Sequence, residues 1–226
     1  MLAKVLAENG AAKVYIAGRR KEVLESVASS IGPNVVPVRC DVTSKPELQA
    51  LVSFIQEDAG YLNLLACNSG IGGPQVPLIK PETTLEEWAT ANFNVDWDAY
   101  VNTFAVNAAS VWYTSMACLG LLDAGNKKGN VEQSSQVIVT SSIASFNKKA
   151  PGGWAYGQSK AAATLAMKQL SVSLPQWGLR SVPMSVLGYG TRRQLTTSDI
   201  FINVVPTALP LVVSFPATLP YQVPNG

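Results

Sequence analysis

The chain has 226 residues, with 17 Lys and Arg against 15 Asp and Glu for a net charge of +2, three cysteines and no histidine. Without imidazole there is no serine–histidine or cysteine–histidine nucleophile pair, no histidine metal cluster and no histidine acid or base at neutral pH, so any chemistry rests on Tyr, Lys, Ser, Asn, carboxylates or a bound cofactor. The balanced charge leaves no electrostatic footprint for nucleic acid or an anionic membrane, and the 47% of hydrophobic residues suffice for one sizeable core.

In chain order, residues 2 to 8 have helical character and stop at Asn9-Gly10. Lys4 and Glu8 interrupt any signal-peptide core, so secretion is not expected. Lys13-Val-Tyr-Ile-Ala-Gly18 reads as a buried strand, and 20 to 30 as a helix with Val23, Leu24, Val27 and Ile31 at near-helical spacing. Asn34-Val-Val-Pro-Val-Arg39 is the next strand, Pro46 opens a helix to Asp58, and Leu62-Asn-Leu-Leu-Ala-Cys67 is a third strand. Helices follow at 84 to 92 and 96 to 122, then a strand at Gln136-Val-Ile-Val-Thr140 and a helix from Trp154 to Leu174. Strands alternating with helices argue for an α/β domain with a parallel sheet over residues 1–180. Cys40, Cys67 and Cys118 lack metal-ligand spacing and read as reduced core thiols of an intracellular, cytoplasmic protein.

Residues 181–226 have a different composition. Six of the 14 prolines fall there, with only Arg192, Arg193 and Asp199 charged. The stretch 201 to 221 is apolar, but Pro206, Pro210, Pro216 and Pro220 break any spanning helix, so a membrane role is not expected.

The sharpest chemical feature is Tyr156-Gly-Gln-Ser-Lys160 in the first turns of a predicted helix. A spacing of four puts the phenol and the ammonium on one helical face. Tyrosine titrates near pH ~10, and a neighbouring cation favours the phenolate; each unit of lowering needs about 1.4 kcal/mol of differential stabilisation. Such a pair is common on protein surfaces, and its neighbours in sequence decide its meaning. Val137-Ile-Val-Thr-Ser-Ser142 is a strand ending in two hydroxyls 14 and 15 residues before the tyrosine. Cys67-Asn-Ser-Gly70 ends another strand, and Asn107 lies inside the long helix.

Together and in this order, these four motifs resemble the short-chain dehydrogenase/reductase family over about residues 1 to 180, with wording closest to the 3-oxoacyl-carrier-protein reductase branch, including members labelled for rhamnolipid biosynthesis. The resemblance implies a Rossmann-like doubly wound parallel sheet and interconversion of a ketone and a secondary alcohol. It makes Tyr156 the general acid, Lys160 the residue that lowers its pKa and binds the nicotinamide ribose, and Ser142 the hydrogen-bond partner of the substrate oxygen, with Ser141 as a weaker candidate. Asn107 would hold a water that relays protons to the lysine. Arg19 and Arg20 follow the first strand where NAD-preferring relatives carry an acidic residue, which favours NADP(H); two solvated arginines opening a helix are the plainer alternative. Asp41 and Val42 resemble the family's adenine contact, and Asn68, Ser69 and Gly70 its Asn-Asn-Ala-Gly segment. A ketone, alcohol or acyl substrate is implied as partner, with a homodimer or homotetramer built on the helices carrying Asn107 and Tyr156.

Two departures from the family pattern carry expectations of their own. The Thr-Gly-x-x-x-Gly-x-Gly phosphate-binding turn that should precede the first helix is absent. Gly70-Ile-Gly-Gly73 follows the wrong strand, and Gly188-Tyr-Gly190 has no strand–turn–helix context. Family topology would then leave the sheet without its first, central strand, a loss on the order of a domain's whole stability of about 5–15 kcal/mol. At the other end, Leu179 to Tyr189 stand where relatives carry Arg-x-Asn-x-Ile-x-Pro-Gly, and 181–226 read as an irregular, out-of-frame tail. The alternative to an active reductase is therefore a catalytically impaired fragment without productive cofactor binding, acting at most as an interaction partner.

Overall fold

The protein is described from a computed structural model covering residues 2–149, 153–186 and 201–206, with the backbone alone for 185–186 and 201–206. The elements are α1 (Leu2–Glu8), β1 (Ala11–Gly18), α2 (Lys21–Ile31), β2 (Val35–Arg39), α3 (Lys45–Asp58), β3 (Leu64–Cys67), α4 (Leu85–Phe93), α5 (Trp97–Phe104), α6 (Ser110–Lys128), β4 (Gln136–Ser142), α7 (Trp154–Ser173), β5 (Arg180–Val186) and β6 (Phe201–Pro206). A π-helical turn, Ala105–Ala109, joins α5 to α6 into one long rod.

Local chemistry sets several helix starts. The Ser44 hydroxyl accepts from the Glu47 amide with Pro46 in the first turn of α3, Thr84 and Glu87 form a reciprocal capping box on α4, and Asp96 caps α5. Gly129, at φ +59°, ends α6 in the left-handed conformation that glycine adopts without a Cβ penalty.

The sheet order is β2-β1-β6-β3-β4-β5. β1 pairs with β2, β3 with β4, and β4 with β5, all parallel. Alternation along β1 builds a core on each face. Val14 and Ile16 pack with Ala3, Leu6, Leu24 and Ala28 of α1 and α2, whereas Tyr15 and Ala17 join Leu51, Ile55, Leu121, Leu122 and Met167 of α3, α6 and α7. This is the doubly wound α/β fold expected from the element pattern, with its Rossmann-like order.

The central slot departs from the expected gap. β6 lies there, antiparallel to both neighbours, with Ile202 opposite Ile16 on one side and Ala66 on the other. The sheet thus continues past residue 180 through β5 and β6 and is mixed rather than wholly parallel, which corrects the reading of 181–226 as uniformly irregular. The physical reason is that β1 and β3 each offer a row of backbone donors and acceptors that must be paired when buried, and Phe201-Ile-Asn-Val-Val205 is rich in strand-favouring residues. The rest of the tail, including Arg192, Arg193, Asp199, the Gly188–Gly190 segment and the prolines beyond 206, lies outside the described residues.

Among the described residues the run Trp97–Lys128 alone is long and apolar enough to cross a membrane, and half of its most apolar stretch is buried in the protein. All three cysteines are buried and free, and burial pushes the Cys40 and Cys67 thiols up to about 12, so they are inert packing groups at neutral pH.

Candidate active site

In an open α/β sheet, ligands sit outside the carboxyl ends of the strands where the strand order reverses. Here that crevice lies between the ends of β1 and β3. The ends of β1, β2, β3 and β4 bring Arg19, Asp41, Val42, Asn68, Ser69, Gly70 and Ser142 to it, and α7 brings Tyr156 and Lys160.

Tyr156 is half-buried and Lys160 is 4% exposed, with the Lys160 Nζ 5.9 Å from the centre of the Tyr156 ring. The ammonium donates to the Thr140 carbonyl at 2.8 Å. Burial pulls its pKa from 10.5 down to about 8. Gly70 packs directly on this group: a Cβ there would stand 3.2 Å from the Lys160 Nζ and 3.2 Å from the Asn107 Oδ1. Glycine at the end of β3 thus lets the backbone close directly on the lysine and Asn107.

Asn107 is fully buried in the π-helical turn. Its Oδ1 accepts from the Ile71 amide at 2.8 Å, and its Nδ2 donates to the Ile71 carbonyl at 2.9 Å and to the Ser159 Oγ at 3.0 Å. The side chain therefore ties the loop after β3 to α7. π turns of this kind recur at functional sites because the extra residue re-aims side chains.

Alternation on β4 separates the two serines. Ser141 turns under α7, where its Oγ shares a 2.5 Å hydrogen bond with the Thr164 hydroxyl and donates to the Lys160 carbonyl at 3.4 Å. Ser142 points to the other side, and its Oγ accepts from the Ala144 amide at 3.2 Å. Ser141 is committed to packing, so Ser142 is the hydroxyl on the side away from α7. Residue spacing missed Thr140, whose carbonyl holds Lys160 and whose hydroxyl donates to the Asn68 Oδ1 at 2.7 Å. A backbone acceptor leaves no signature in sequence.

At the far end of the crevice, Gly18, Arg19, Asp41, Val42 and Ser69 line a cavity of about 30 Å³, room for roughly one water. The Asp41 Oδ1 accepts from the Thr43 amide at 2.9 Å and the Thr43 hydroxyl at 2.7 Å. Burial pushes its pKa up, but those two bonds outweigh it and Arg19 and Arg39 add to them, so the carboxyl stays below its ordinary value. Arg19 and Arg20 are both exposed; Arg19 faces Asp41, whereas Arg20 is the N-cap of α2.

A dinucleotide fits this arrangement at its two ends. Tyr156 and the buried Lys160 stand at one, and Arg19, Asp41 and Val42 meet at the other. No glycine-rich turn opening a helix joins them among the described residues. Gly73 does not serve: it sits at φ +70°, and a Cβ there would come within 2.6 Å of the Thr103 hydroxyl, so it is packed against α5.

The family model for short chain dehydrogenases matches residues 1–194, and the chain belongs to that family. It is 46% identical over 182 residues to the short-chain dehydrogenase/reductase PhomF' of Diaporthe leptostromiformis, covering 80% of this chain and 62% of the relative, so it spans less than two thirds of that protein's length. Among solved structures, an alcohol dehydrogenase from the archaeon Thermococcus sibiricus, complexed with 5-hydroxy-NADP, superposes with a TM-score of 0.67 at 20% identity over 92% of this chain and 75% of that one. A 3-ketoacyl-(acyl-carrier-protein) reductase from Brucella melitensis, complexed with NADH, gives 0.62 at 20% identity over 76% and 64%.

The buried lysine yields a pH prediction. Its folded pKa lies below its unfolded value of about 10.4, so the unfolded chain holds more protons between roughly pH 8 and 10.4. Its contribution to stability is therefore present above that window and lost as pH falls through about 8. The stability of wild type relative to Lys160→Met is expected to be level near pH 7 and to rise from about pH 8 to pH 10, read by urea unfolding. A flat difference would show that Nζ is solvated.

Proposed function

We propose that the protein is an NADP(H)-dependent reductase of the short-chain type that interconverts a ketone, 3-oxoacyl-like in class, and a secondary alcohol. The observation that carries this reading is the Tyr156–Lys160 pair, with its lysine buried and depressed in pKa. The nicotinamide supplies the hydride for the carbonyl carbon. Tyr156 delivers the proton to the carbonyl oxygen, and Lys160 stabilises the phenolate left behind. Ser142 donates a hydrogen bond to the same oxygen. Asn107 holds the loop after β3 against α7 and so fixes the position of Gly70; a water beside it would return the proton from solvent. Arg19, with Arg20 behind it, supplies the guanidinium forks for a 2′-phosphate.

The branch assignment rests on motif wording, and the cytoplasmic location on reduced thiols. A homodimer or homotetramer is supported by exposed Trp97, Val101, Trp112 and Tyr113 along the α5–α6 rod. The second reading is a chain without productive cofactor binding, since no glycine-rich turn opens a helix among the described residues.

Calorimetric titration with NADPH and NADH, followed by initial rates on ethyl acetoacetate, separates the two. Saturable NADPH binding with turnover supports the reductase, and absence of binding to a cooperatively folded chain supports the impaired form. In the reductase, Arg19→Ser is expected to weaken NADPH by about 10- to 100-fold, the loss of charge-assisted hydrogen bonds, and to leave NADH within about threefold. Equal losses for both nucleotides would remove Arg19 from phosphate recognition.

A further inference from the structure

We propose that Thr140 is a positioning residue for Lys160: its hydroxyl, anchored on Asn68, fixes the carbonyl that holds the ammonium, so that the fork between β3 and β4 sets where the lysine tip stands beside Tyr156. The proposal rests on the reductase reading for its consequence in turnover and on the strand geometry for everything else. Pairing of β3 with β4 runs from Leu64 opposite Gln136 to Cys67 opposite Val139 and ends there. Thr140, the next residue of β4, is still paired with Met184 of β5 on the other side. The Gln136 amide donates to the Asn63 carbonyl, and alternation along the strand turns the backbone groups of Ile138 and Thr140 to the same side. The Thr140 carbonyl therefore faces the opened fork one step beyond the last pair, where a buried acceptor needs a donor. The Lys160 Nζ supplies it at 2.8 Å.

The hydroxyl of the same residue donates to the Asn68 Oδ1 at 2.7 Å, a side-chain link that carries the β3–β4 pairing past its backbone end. Lys160 is thus held at both ends by consecutive residues of β4. Ser141 donates to its carbonyl at 3.4 Å, joined by Thr164 at 2.9 Å, and Thr140 holds its tip. A lysine stem is flexible and its ammonium is a point charge without a geometry of its own, so a single buried position requires a fixed acceptor. Of the side chains around this group, Tyr156 alone titrates; Asn68, Asn107, Thr140 and Ser141 are neutral. A change in the lysine pKa therefore reports on its burial and on this hydrogen bond.

Urea unfolding of the full chain from pH 6 to pH 10, without cofactor, tests the proposal when each variant is compared with the same variant carrying Lys160→Met. In the wild type the stability difference begins to rise near pH 8. Thr140→Val keeps the shape and the carbonyl and removes the hydroxyl. A loosened carbonyl stabilises the ammonium less, the folded pKa falls further, and the onset is expected about half a pH unit to one unit lower. Thr140→Ser keeps the hydroxyl and is expected to hold the wild-type onset. Asn68→Ala breaks the same bond from the β3 side and is expected to reproduce the Thr140→Val onset, and the double variant to move it no further. In turnover, Thr140→Val is expected to lower kcat by about three- to tenfold with KM within about twofold, and Thr140→Ser to restore it. An unchanged onset or full kcat in Thr140→Val, an equal shift in Thr140→Ser, or additive shifts in the double variant each overturns the proposal. A lower urea midpoint at every pH with the onset unmoved also overturns it, by reducing Thr140 to a packing residue. Absence of turnover in the wild type sinks the reductase reading alone, because the onset is measured without it.

Discussion

Tyr156→Phe is expected to lower ketone reduction by about 10²- to 10⁴-fold, the usual contribution of a positioned general acid, with no change in thermal unfolding. The phenol is half-buried and its hydroxyl makes no hydrogen bond among the described residues, while the ring stays beside Lys160 in the phenylalanine variant. Removing the hydroxyl therefore takes away the proton donor and little else. Loss should appear in kcat, because the proton moves only in the transition state, and binding of NADPH should hold within about threefold. Full activity in Tyr156→Phe would move the acid role to another group, and with no histidine in the chain few remain.

Gly125→Ala is expected to destabilise the fold by about 2 kcal/mol or more, read as a lower urea midpoint with the slope unchanged. A Cβ on Gly125 would lie 1.9 Å from the Leu62 carbonyl oxygen, 2.7 Å from its carbon and 2.8 Å from the Ser135 Oγ. Backbone cannot yield as a side chain can. α6 would have to withdraw by roughly 1 Å from the segment leading into β3, stretching the 2.9 Å bond from the Leu62 amide to the Leu121 carbonyl. Overpacking of this kind costs about 1–3 kcal/mol and occasionally more. It outweighs the helix-propensity gain of about 1 kcal/mol for glycine to alanine. A neutral or stabilising substitution would show that α6 does not sit against Leu62.

The same contact moves the start of a strand away from the one its hydrophobic pattern predicts. Hydrophobic pattern starts the third strand at Leu62, but its amide is taken by α6, and pairing with β4 begins only at Leu64. The long helix expected over 96 to 122 runs from Trp97 to Lys128. Its end is set by Gly129, and a 3.6-residue period does not reveal its π-helical turn around Asn107. Tyr156 and Lys160 were legible because one helical turn fixes their relation. The choice between Ser141 and Ser142 was half legible: strand alternation separates them, but only the packing of Thr164 shows which one is occupied.

Local spacing, then, was enough for the α/β class and the tyrosine–lysine pair, because each depends on residues a few positions apart, whereas the family came from the resemblance of four motifs spread from Cys67 to Lys160. The antiparallel strand in the central slot, the Thr140 carbonyl that holds Lys160 and the depressed lysine pKa were set by chain folding. Each depends on backbone groups or burial contributed by segments far apart in sequence, and no periodicity within one segment records what another will place against it.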